Sequence, residues 1–404
     1  MTLRTLPKPK DLKGKRVLLR VDYNVPVTRG RVERDGEWRL RRSVPTLEYL
    51  AASGAKTLIL SHRGRPAGKS VSALSMKPIV NRISSMLGRK VAFVADCTGP
   101  KVAAAVSKMK DGDILLLENV RFKKGEAANA KAFAEKLAAS ADLFVNDAFA
   151  VSHREAASVA GVARLLPSFA GRLMVEEVAA ISGAMADPKR PFIAVMGGAK
   201  VSSKIGAIER MLEVADRVLL GGSLIVPFFE AQGFGVGSSQ ASQEDVDAAV
   251  RLMSSKRFGK VVLPHDVIVG NPKSAKGRPR IVELSEDPFE FAEKRTEGVM
   301  DIGPKTVSAY ASYIRSASTI IWNGPLGLFE IPKYSHGTIA VGRLIATRSK
   351  GRAFGIVGGG ETVMALERTG LADCVDHIST GGGAMLEFIE SGDLPGLKPL
   401  RKKS

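Results

Sequence analysis

Short apolar runs alternate with alanine-rich amphipathic stretches along the whole chain. This pattern predicts parallel β-strands separated by crossover helices. The first series of predicted strands covers residues 16–21, 57–60, 91–94, 114–117 and 143–146. The second series covers residues 192–196, 218–220, 260–263, 319–322 and 353–357. Two such series predict an α/β protein with two doubly wound domains, each binding ligands at the carboxyl ends of its strands.

Helical patterns fill the intervals between the predicted strands, as at residues 130–139, 205–215 and 338–347. A further helix-like stretch, residues 171–186, separates the two series and is followed by Asp187-Pro188. Proline disfavours helix at the residue before it, so we expect the helix to end there. The length of 404 residues also favours two domains over one.

The chain is strongly basic, with 60 Lys and Arg against 41 Asp and Glu, a formal charge of +19. Such a balance attracts anions, whether nucleic acids or phosphorylated metabolites. Nucleic-acid binding usually needs concentrated charge and stacking aromatics, whereas here the basic residues are spread along the chain and aromatics make up 6%. We therefore expect small anionic ligands, and not nucleic acid, as the primary partners.

No apolar run approaches the roughly 18 residues of a membrane span. The sequence also starts without an apolar signal region, and its two cysteines, Cys97 and Cys374, have no metal-ligand spacing. These features predict a cytoplasmic protein with no membrane partner.

Four predicted strands of the first half run into residues typical of anion binding, which are Asp22, Asn24, His62, Arg65, Arg121 and Arg154. Each residue alone is compatible with an ordinary turn or a solvent-facing side chain. Several cations at one sheet edge repel one another unless an anion lies among them, and guanidinium groups match phosphate and carboxylate oxygens. The first half therefore predicts a pocket for a small, multiply anionic molecule.

The second half contains Gly-Gly-Ala-Lys-Val-Ser-Ser-Lys at 197–204, directly after an apolar run. A strand that ends in glycines and opens a helix offers free N–H groups to phosphate. Lys200 and Lys204 would share one helix face if the helix began there. The spacing is not that of a Walker A loop, and a helix start with two solvated lysines is the alternative.

More glycine turns follow predicted strands, at 221–222, 324–327, 358–360 and 381–383. Glycines permit close backbone approach to a ligand, although each turn could also serve packing alone. Glu361 follows the third turn and could hold Mg²⁺ beside nucleotide phosphates, because Mg²⁺ prefers oxygen ligands.

Together these motifs resemble the phosphoglycerate kinase family over essentially the whole chain. The segments that carry the resemblance are residues 20–26, 39–45, 61–66, 117–122, 145–154, 197–205, 322–330, 358–362 and 379–384. The compact length and the loops resemble the archaeal branch. The resemblance implies two Rossmann-like domains that face a cleft and are joined by a helix and hinge. It implies a 3-phosphoglycerate domain at 1–170, an interdomain helix at 171–186, a nucleotide domain at 187–380 and a returning segment at 381–404.

The family's reaction is reversible phosphoryl transfer between 1,3-bisphosphoglycerate and ADP, giving 3-phosphoglycerate and ATP with Mg²⁺, accompanied by hinge-bending closure. The resemblance implies that 3-phosphoglycerate is bound by Asp22, Asn24, Arg39, His62, Arg65, Arg121 and Arg154. It implies that the nucleotide is bound by Gly198, Lys200, Lys204, Gly222, Asn323, Glu330, Gly358, Gly359, Gly360, Glu361 and Thr362. It implies catalytic roles for Arg39, Lys200, Gly359 and Gly382. It also implies that Glu330 binds the ribose and that Glu361 binds the metal ion.

Two positions depart from the family pattern, since Glu361 stands where Asp is common and Ser223 where a third glycine is common. Two alternatives stay open at this point: a kinase of another small carboxylic acid on the same scaffold, and a non-enzymatic nucleic-acid-binding role. For the oligomeric state we expect a monomer, with a dimer as the alternative.

Overall fold

A computed structural model describes residues 1–274, 277–284 and 296–402. The chain divides into two compact units, with Met1–Ala179 and Ser391–Ser404 in unit 1 and Ala180–Glu390 in unit 2. The functional domain bounds that the sequence predicts stay predictions, and residues 403 and 404 of the predicted returning segment lie outside the described residues.

Unit 1 is built on a six-stranded parallel sheet in the order β5-β6-β4-β1-β7-β8, beside a two-stranded β2-β3 hairpin. Its strands are β1 (Arg16–Arg20), β2 (Val27–Thr28), β3 (Arg31–Val32), β4 (Lys56–Leu60), β5 (Val91–Val94), β6 (Ile114–Leu117), β7 (Leu143–Asn146) and β8 (Ser168–Ala170). The helices described here are α1 (Pro9–Leu12), α2 (Arg34–Ala52), α3 (Ile79–Leu87), α4 (Pro100–Val106), α5 (Lys131–Ala138) and α6 (Arg172–Ala186), the last crossing the unit boundary.

The sheet of unit 1 is buried on both faces, which explains its continuous apolar strands. Successive side chains of a strand point to opposite faces. Accordingly Val17 and Leu19 of β1 belong to one hydrophobic cluster, and Leu18 between them belongs to another. Polar side chains are thereby left to the strand ends.

Unit 2 is built on a second six-stranded parallel sheet, in the order β11-β10-β9-β15-β16-β17, and on a three-stranded antiparallel sheet, β13-β12-β14. Its strands are β9 (Phe192–Met196), β10 (Arg217–Leu220), β11 (Val261–Val262), β12 (Asp266–Gly270), β13 (Arg280–Glu283), β14 (Gly298–Ile302), β15 (Thr319–Asn323), β16 (Phe354–Gly358) and β17 (His377–Ser379). The helices described here are α7 (Ile205–Val214), α8 (Val226–Ala231), α9 (Gln243–Met253), α10 (Pro304–Ser316), α11 (His336–Ser349), α12 (Gly360–Glu367) and α13 (Gly383–Ser391).

The parallel strands of unit 2, counted in chain order, have the order 3-2-1-4-5-6 of a Rossmann sheet, with the antiparallel sheet inserted after the third. Strand order reverses between β9 and β15, which are hydrogen-bonded neighbours. Ligands of such sheets bind at this switch point, outside the carboxyl ends of the strands. The predicted α/β class with two doubly wound sheets is confirmed.

Helix α7 starts where the pattern over 205–215 predicts, so the condition for Lys200 and Lys204 to share one helix face is not met. Helix α7 begins at Ile205, with Lys204 as its N-cap residue. Lys200 and Lys204 therefore do not lie on one helix face. Glycine at 197 and 198 releases the chain into a turn and not directly into a helix, because Gly198 has φ +109°.

The sequence pattern missed the antiparallel sheet, the edge strands β8 and β17, and helix α2. The edge strands have three residues each, too short for a periodic signal. Helix α2 contains Pro45, which normally breaks a helix interior. Within the described part of the chain, no helix is both long and apolar enough to cross a membrane.

Asp147, directly after β7, holds the start of α6. Its Oδ1 accepts a hydrogen bond from the Met174 N–H at 3.1 Å. Gly171 packs on this carboxyl group so closely that a Cβ would lie 2.2 Å from Oδ1. Asp147 Oδ2 is buried without a hydrogen-bond partner among the described residues, and burial raises the pKa of Asp147 to about 6.

We predict that Asp147→Asn removes a pH-dependent loss of stability. The folded-state pKa of Asp147 lies above the ordinary value of 3.8, so the folded state binds the proton more tightly than the unfolded state. The stability that this proton contributes is therefore lost as pH rises from about 4 to about 6. Relative to the variant, the wild-type free energy of unfolding should fall across that window by up to about 3 kcal/mol. Urea unfolding from pH 4 to 7.5 measures the difference.

The exposed Asp187→Asn is the matched control and should follow the wild-type profile throughout. Parallel profiles for wild type and Asp147→Asn would contradict the assigned cause.

Candidate functional site

The carboxyl end of β1 places Asp22 in contact with helix α2 and with the loop after β4. Asp22 Oδ2 accepts a hydrogen bond from Arg39 Nη1, and Asp22 Oδ1 accepts one from the Asn24 N–H at 3.1 Å. Asn24 Oδ1 in turn accepts from the Gly64 N–H at 2.9 Å. Burial opposes ionisation of Asp22, but the charges of Arg39 and Arg20 and the hydrogen bond from the Asn24 N–H lower its pKa below the ordinary value. Asp22 is therefore a charged anchor for Arg39.

His62 lies beneath this cluster and is almost completely buried. Its Nδ1 is 3.2 Å from Arg20 Nη2, and because arginine only donates, Nδ1 accepts and the proton lies on Nε2. Burial and the neighbouring Arg20 lower the pKa of His62 well below its ordinary value. His62 is thus a neutral hydrogen-bonding group in the ligand-free protein.

A cavity of about 690 Å³ at the same sheet edge is lined by Arg20, Arg65, Arg121 and Arg154. Arg121 also donates from Nη1 to the Gly64 carbonyl at 2.8 Å, which ties the cavity to the Asp22 cluster. Burial, together with the like charges of Arg20 and Arg154, lowers the pKa of Arg121 to about 10. A multiply charged anion would relieve that repulsion.

Sequence reasoning missed Arg20 and Glu126 as parts of this site. Arg20 is 1% exposed and donates to Ser158 Oγ at 3.0 Å and to the Val21 carbonyl. Glu126 also lines the cavity and accepts from Ser158 N and Oγ at 2.9 and 2.6 Å. For Arg20, the sequence did offer a signal, because a charged residue directly follows the apolar run of β1. A buried arginine needs hydrogen-bond partners, so its presence there indicates polar groups nearby.

In unit 2, the turns after β9, β10 and β15 meet at the switch point. The Gly198 N–H donates to the Pro325 carbonyl at 3.0 Å, and the Gly222 N–H donates to the Leu326 carbonyl at 2.8 Å. Gly197 approaches Pro325 so closely that a Cβ would lie 2.1 Å from its carbonyl oxygen. These turns need glycine, because a side chain at 197 would separate them.

Lys204 reaches back from the start of α7 across this junction. Its Nζ donates to the Gly197 carbonyl at 2.6 Å and to Asn323 Oδ1 at 3.1 Å. Burial lowers the pKa of Lys204 to about 8, although the charge of Glu361 opposes the shift. Lys204 is therefore an ammonium group that can lose its charge in the alkaline range.

Lys200 occupies a different environment, since its side chain is exposed in the turn before α7. That turn is held by Asp245, whose Oδ1 accepts from the Ser202 N–H at 2.7 Å. The structure therefore brings Lys204, and not Lys200, into the hydrogen-bonded centre of the switch point.

Two helix starts lie beside each other near Asn323. Gly359, with φ +100°, is the N-cap residue of α12, and a Cβ on Gly382 would lie 3.4 Å from the Gly359 Cα. Thr362 Oγ1 accepts from the Gly324 N–H at 2.7 Å, and Asn323 Nδ2 donates to the Gly358 carbonyl at 3.1 Å. The free N–H groups of Gly360 and its neighbours favour an anion.

A second cavity, of about 350 Å³, is lined by residues of these turns, among them Gly198, Gly222, Glu330 and Glu361. Both carboxylates are exposed. Among the residues that the structure describes, no group of three or more His, Cys, Asp or Glu side chains is placed to hold a metal ion. Any divalent cation here would need ligands from a bound phosphate as well as from Glu361.

The two sheets and their strand ends define a class: an α/β protein with two doubly wound units, one with clustered arginines and the other with glycine turns at the carboxyl ends of its strands. The family model of phosphoglycerate kinase matches residues 8–392. The phosphoglycerate kinase of Moorella thermoacetica is 43% identical over 398 residues, 98% of each chain. The cytosolic phosphoglycerate kinase of Nicotiana tabacum is 44% identical over 396 residues, 97% of each chain.

Two solved structures are also similar and cover 96% of both chains. Phosphoglycerate kinase from Coxiella burnetii matches with a TM-score of 0.80 at 38% identity, and that from Pyrococcus horikoshii OT3 with 0.84 at 32% identity. The chain belongs to the phosphoglycerate kinase family. It is a phosphotransferase with a carboxyl group as acceptor and acts in glycolysis. The likeness to the archaeal branch in particular stays a prediction.

We predict that ADP binding weakens as Lys204 loses its proton. Above pH 7.5 the phosphates of ADP are fully ionised, so the titration of Lys204, with a pKa of about 8, dominates the change. The Kd for ADP should rise by about tenfold between pH 7.5 and 9.5 at constant Mg²⁺, measured by calorimetry.

Lys204→Met should bind ADP more weakly but with a nearly constant Kd, because methionine does not titrate. The exposed Lys350→Met is the matched control and should retain the wild-type profile. A wild-type Kd that is independent of pH, together with a wild-type Kd in Lys204→Met, would exclude Lys204 from the phosphate site.

Proposed function

We propose that unit 1 binds 3-phosphoglycerate and the glyceryl part of 1,3-bisphosphoglycerate, and that unit 2 binds ADP and ATP. The observation that carries the proposal is the cavity lined by four arginines, Arg20, Arg65, Arg121 and Arg154. Glu126 and Glu155 bring opposing charge to the cavity wall, while Lys123 and Lys124 add further positive charge. An anion with a phosphate and a carboxylate would balance this excess.

The remaining substrate residues would orient the rest of the molecule. Asp22 and Asn24 carry acceptor oxygens suited to a hydroxyl group, and neutral His62 carries its donor on Nε2. Arg39, held by Asp22, would reach the transferring phosphoryl group.

On the nucleotide side, the glycine turns at Gly198 and Gly222 and the amides at 358–360 would approach the phosphates. Lys204 would exchange its hydrogen bonds to Gly197 and Asn323 for bonds to phosphate oxygens. Thr362, which accepts from the Gly324 N–H, would lie beside the same phosphates. Glu330 lines the cavity with an exposed carboxylate that can accept hydrogen bonds from ribose hydroxyls. The donor set fits Mg²⁺ in the usual way for nucleotides, with Glu361 as protein ligand and phosphate oxygens beside it.

The chemistry needs positioning more than proton transfer. In the direction that consumes ATP, the attacking carboxylate is ionised at neutral pH, so no general base is required. Arg39, Lys200 and the N–H groups of Gly359 and Gly382 would stabilise charge on the transferring phosphoryl oxygens. Mg²⁺, when bound, would neutralise charge on the nucleotide phosphates.

Transfer between substrates bound to different units requires hinge-bending closure. In-line attack needs the reacting atoms within about 3–3.5 Å. Water must also be excluded, because it would hydrolyse the acyl phosphate. We propose that the enzyme acts as a monomer in the cytoplasm, since one chain carries every residue assigned here and Cys97 and Cys374 are free thiols.

We predict that Lys200→Ala lowers kcat by about 100-fold or more while the KM for either substrate changes by less than about threefold, as expected for a contact made mainly in the transition state. Steady-state assays in both directions measure the split. The exposed Lys256→Ala in the same unit is the control and should leave both constants near wild type. An unchanged kcat would remove Lys200 from the mechanism.

We predict that Arg65→Ala raises the KM and Kd for 3-phosphoglycerate by about 10- to 100-fold, because a charge-assisted bond to the anion is lost. The Kd for ADP should stay within about twofold of wild type, because Arg65 lies in unit 1. Calorimetry with each ligand separates the two effects, with Lys101→Ala as the exposed control in unit 1. A selective loss of ADP affinity would contradict the assignment of the two sites.

A further inference from the structure

Arg39 is in contact with two side chains that constrain it in different ways. Its Nη1 donates to Asp22 Oδ2, and its guanidinium carbon lies 5.1 Å from the centre of the Trp38 ring. The Arg39 side chain is 22% exposed, so a charged ligand can still reach it. The guanidinium is therefore held both by a carboxylate and by an aromatic face.

The Trp38 contact is not a by-product of helical spacing. Residues i and i+1 of a helix point about 100° apart and do not normally face each other. Both residues lie in α2, so the arginine must bend towards the indole to make this contact. A cation–π attraction, which is effective within about 6 Å of the ring centre, accounts for that conformation.

The part of α2 that carries Trp38 is itself fixed against the loop after β1. Gly36 packs so closely on this loop that a Cβ would lie 2.8 Å from the Val25 Cβ. The Glu33 N–H also donates to the Pro26 carbonyl at 3.1 Å. The start of α2 and the Asp22 loop therefore form one packed element that supports both contacts of Arg39.

A cation–π contact holds an arginine without using its hydrogen-bond donors, because the ring attracts the positive charge and the N–H groups can still point to other acceptors. A second carboxylate in place of Trp38 would instead occupy donors and compete with an incoming phosphoryl oxygen. The indole restricts the orientation of Arg39 and leaves donors available.

We propose that Trp38 is a positioning residue for Arg39, holding its guanidinium in the orientation in which it meets the transferring phosphoryl group. The proposal rests on the role proposed above for Arg39. It predicts an effect on kcat, because correct orientation matters most in the transition state, and little effect on ground-state binding.

Three substitutions test the proposal. Trp38→Leu retains apolar volume without a π face and should lower kcat by about three- to tenfold, with the KM for 3-phosphoglycerate within about twofold of wild type. Trp38→Phe retains a π face and should keep kcat within about twofold of wild type. Glu48→Ala, at an exposed position of α2, is the matched control and should change neither constant.

A double-mutant cycle separates this proposal from the role of Arg39. In an Arg39→Lys background, which has no planar guanidinium, Trp38→Leu should change kcat by less than about twofold. An equal loss in both backgrounds would overturn the proposal, as would a raised KM with kcat unchanged. If Arg39→Lys alone retains wild-type kcat, the role of Arg39 fails, and the proposal fails with it for that separate reason.

Fluorescence gives a readout that does not depend on turnover. The chain has two tryptophans, and Trp322 is fully buried in β15. The emission of Trp38 is the difference between wild type and Trp38→Phe, and it should change on adding 3-phosphoglycerate as Arg39 engages the ligand. The change should disappear in Arg39→Lys, and its persistence there would contradict contact through Arg39.

Discussion

A parallel sheet that is buried on both faces has room for polar chemistry only where its strands end. In β1 and β9 the side chains inside the sheet are apolar and almost fully buried. At the carboxyl end of β1 the charged group is Arg20, the last residue of the strand, and β9 is followed by the Gly197–Gly198 turn. Both candidate sites therefore lie at the carboxyl ends of the strands, because the loops that follow neighbouring parallel strands meet at the same edge of the sheet.

The two units meet the constraint with different chemistry. Unit 1 concentrates guanidinium groups, which stay charged and repel one another, as the lowered pKa of Arg121 reflects. It stabilises the most buried of them, Arg20, with Ser158, His62 and the charge of Glu126. Unit 2 relies on glycine turns and helix starts, whose N–H groups contribute partial charge without any repulsion between side chains. An anion with several charges suits the first, and a phosphate chain that runs along the backbone suits the second.

The alternation of apolar runs was enough to predict both parallel sheets, because a strand buried on both faces is apolar throughout. The positions of Asp22, Asn24 and Arg121 just after their strands were predictable for the same reason, since the pattern shows where each strand stops. Arg20 was not, because its burial depends on partners more than 40 positions away, such as Ser158. The conformation of the turn that carries Lys200 was not predictable either, because Asp245 accepts a hydrogen bond from the Ser202 N–H and local sequence does not reveal this contact.

Because α7 begins at Ile205, Lys200 and Lys204 lie in different environments and can have different roles. Lys204 already donates to Gly197 and Asn323, so in its proposed role it would have to exchange these hydrogen bonds for bonds to phosphate. Its net contribution to binding is then modest, and its charge serves to hold the junction of turns together as well. Lys200 is exposed in the turn before α7 and carries its ammonium group on a long, flexible side chain. The proposed roles, with Lys204 at the nucleotide and Lys200 at the transferring phosphoryl group, are supported by these different environments and not by a shared helix face.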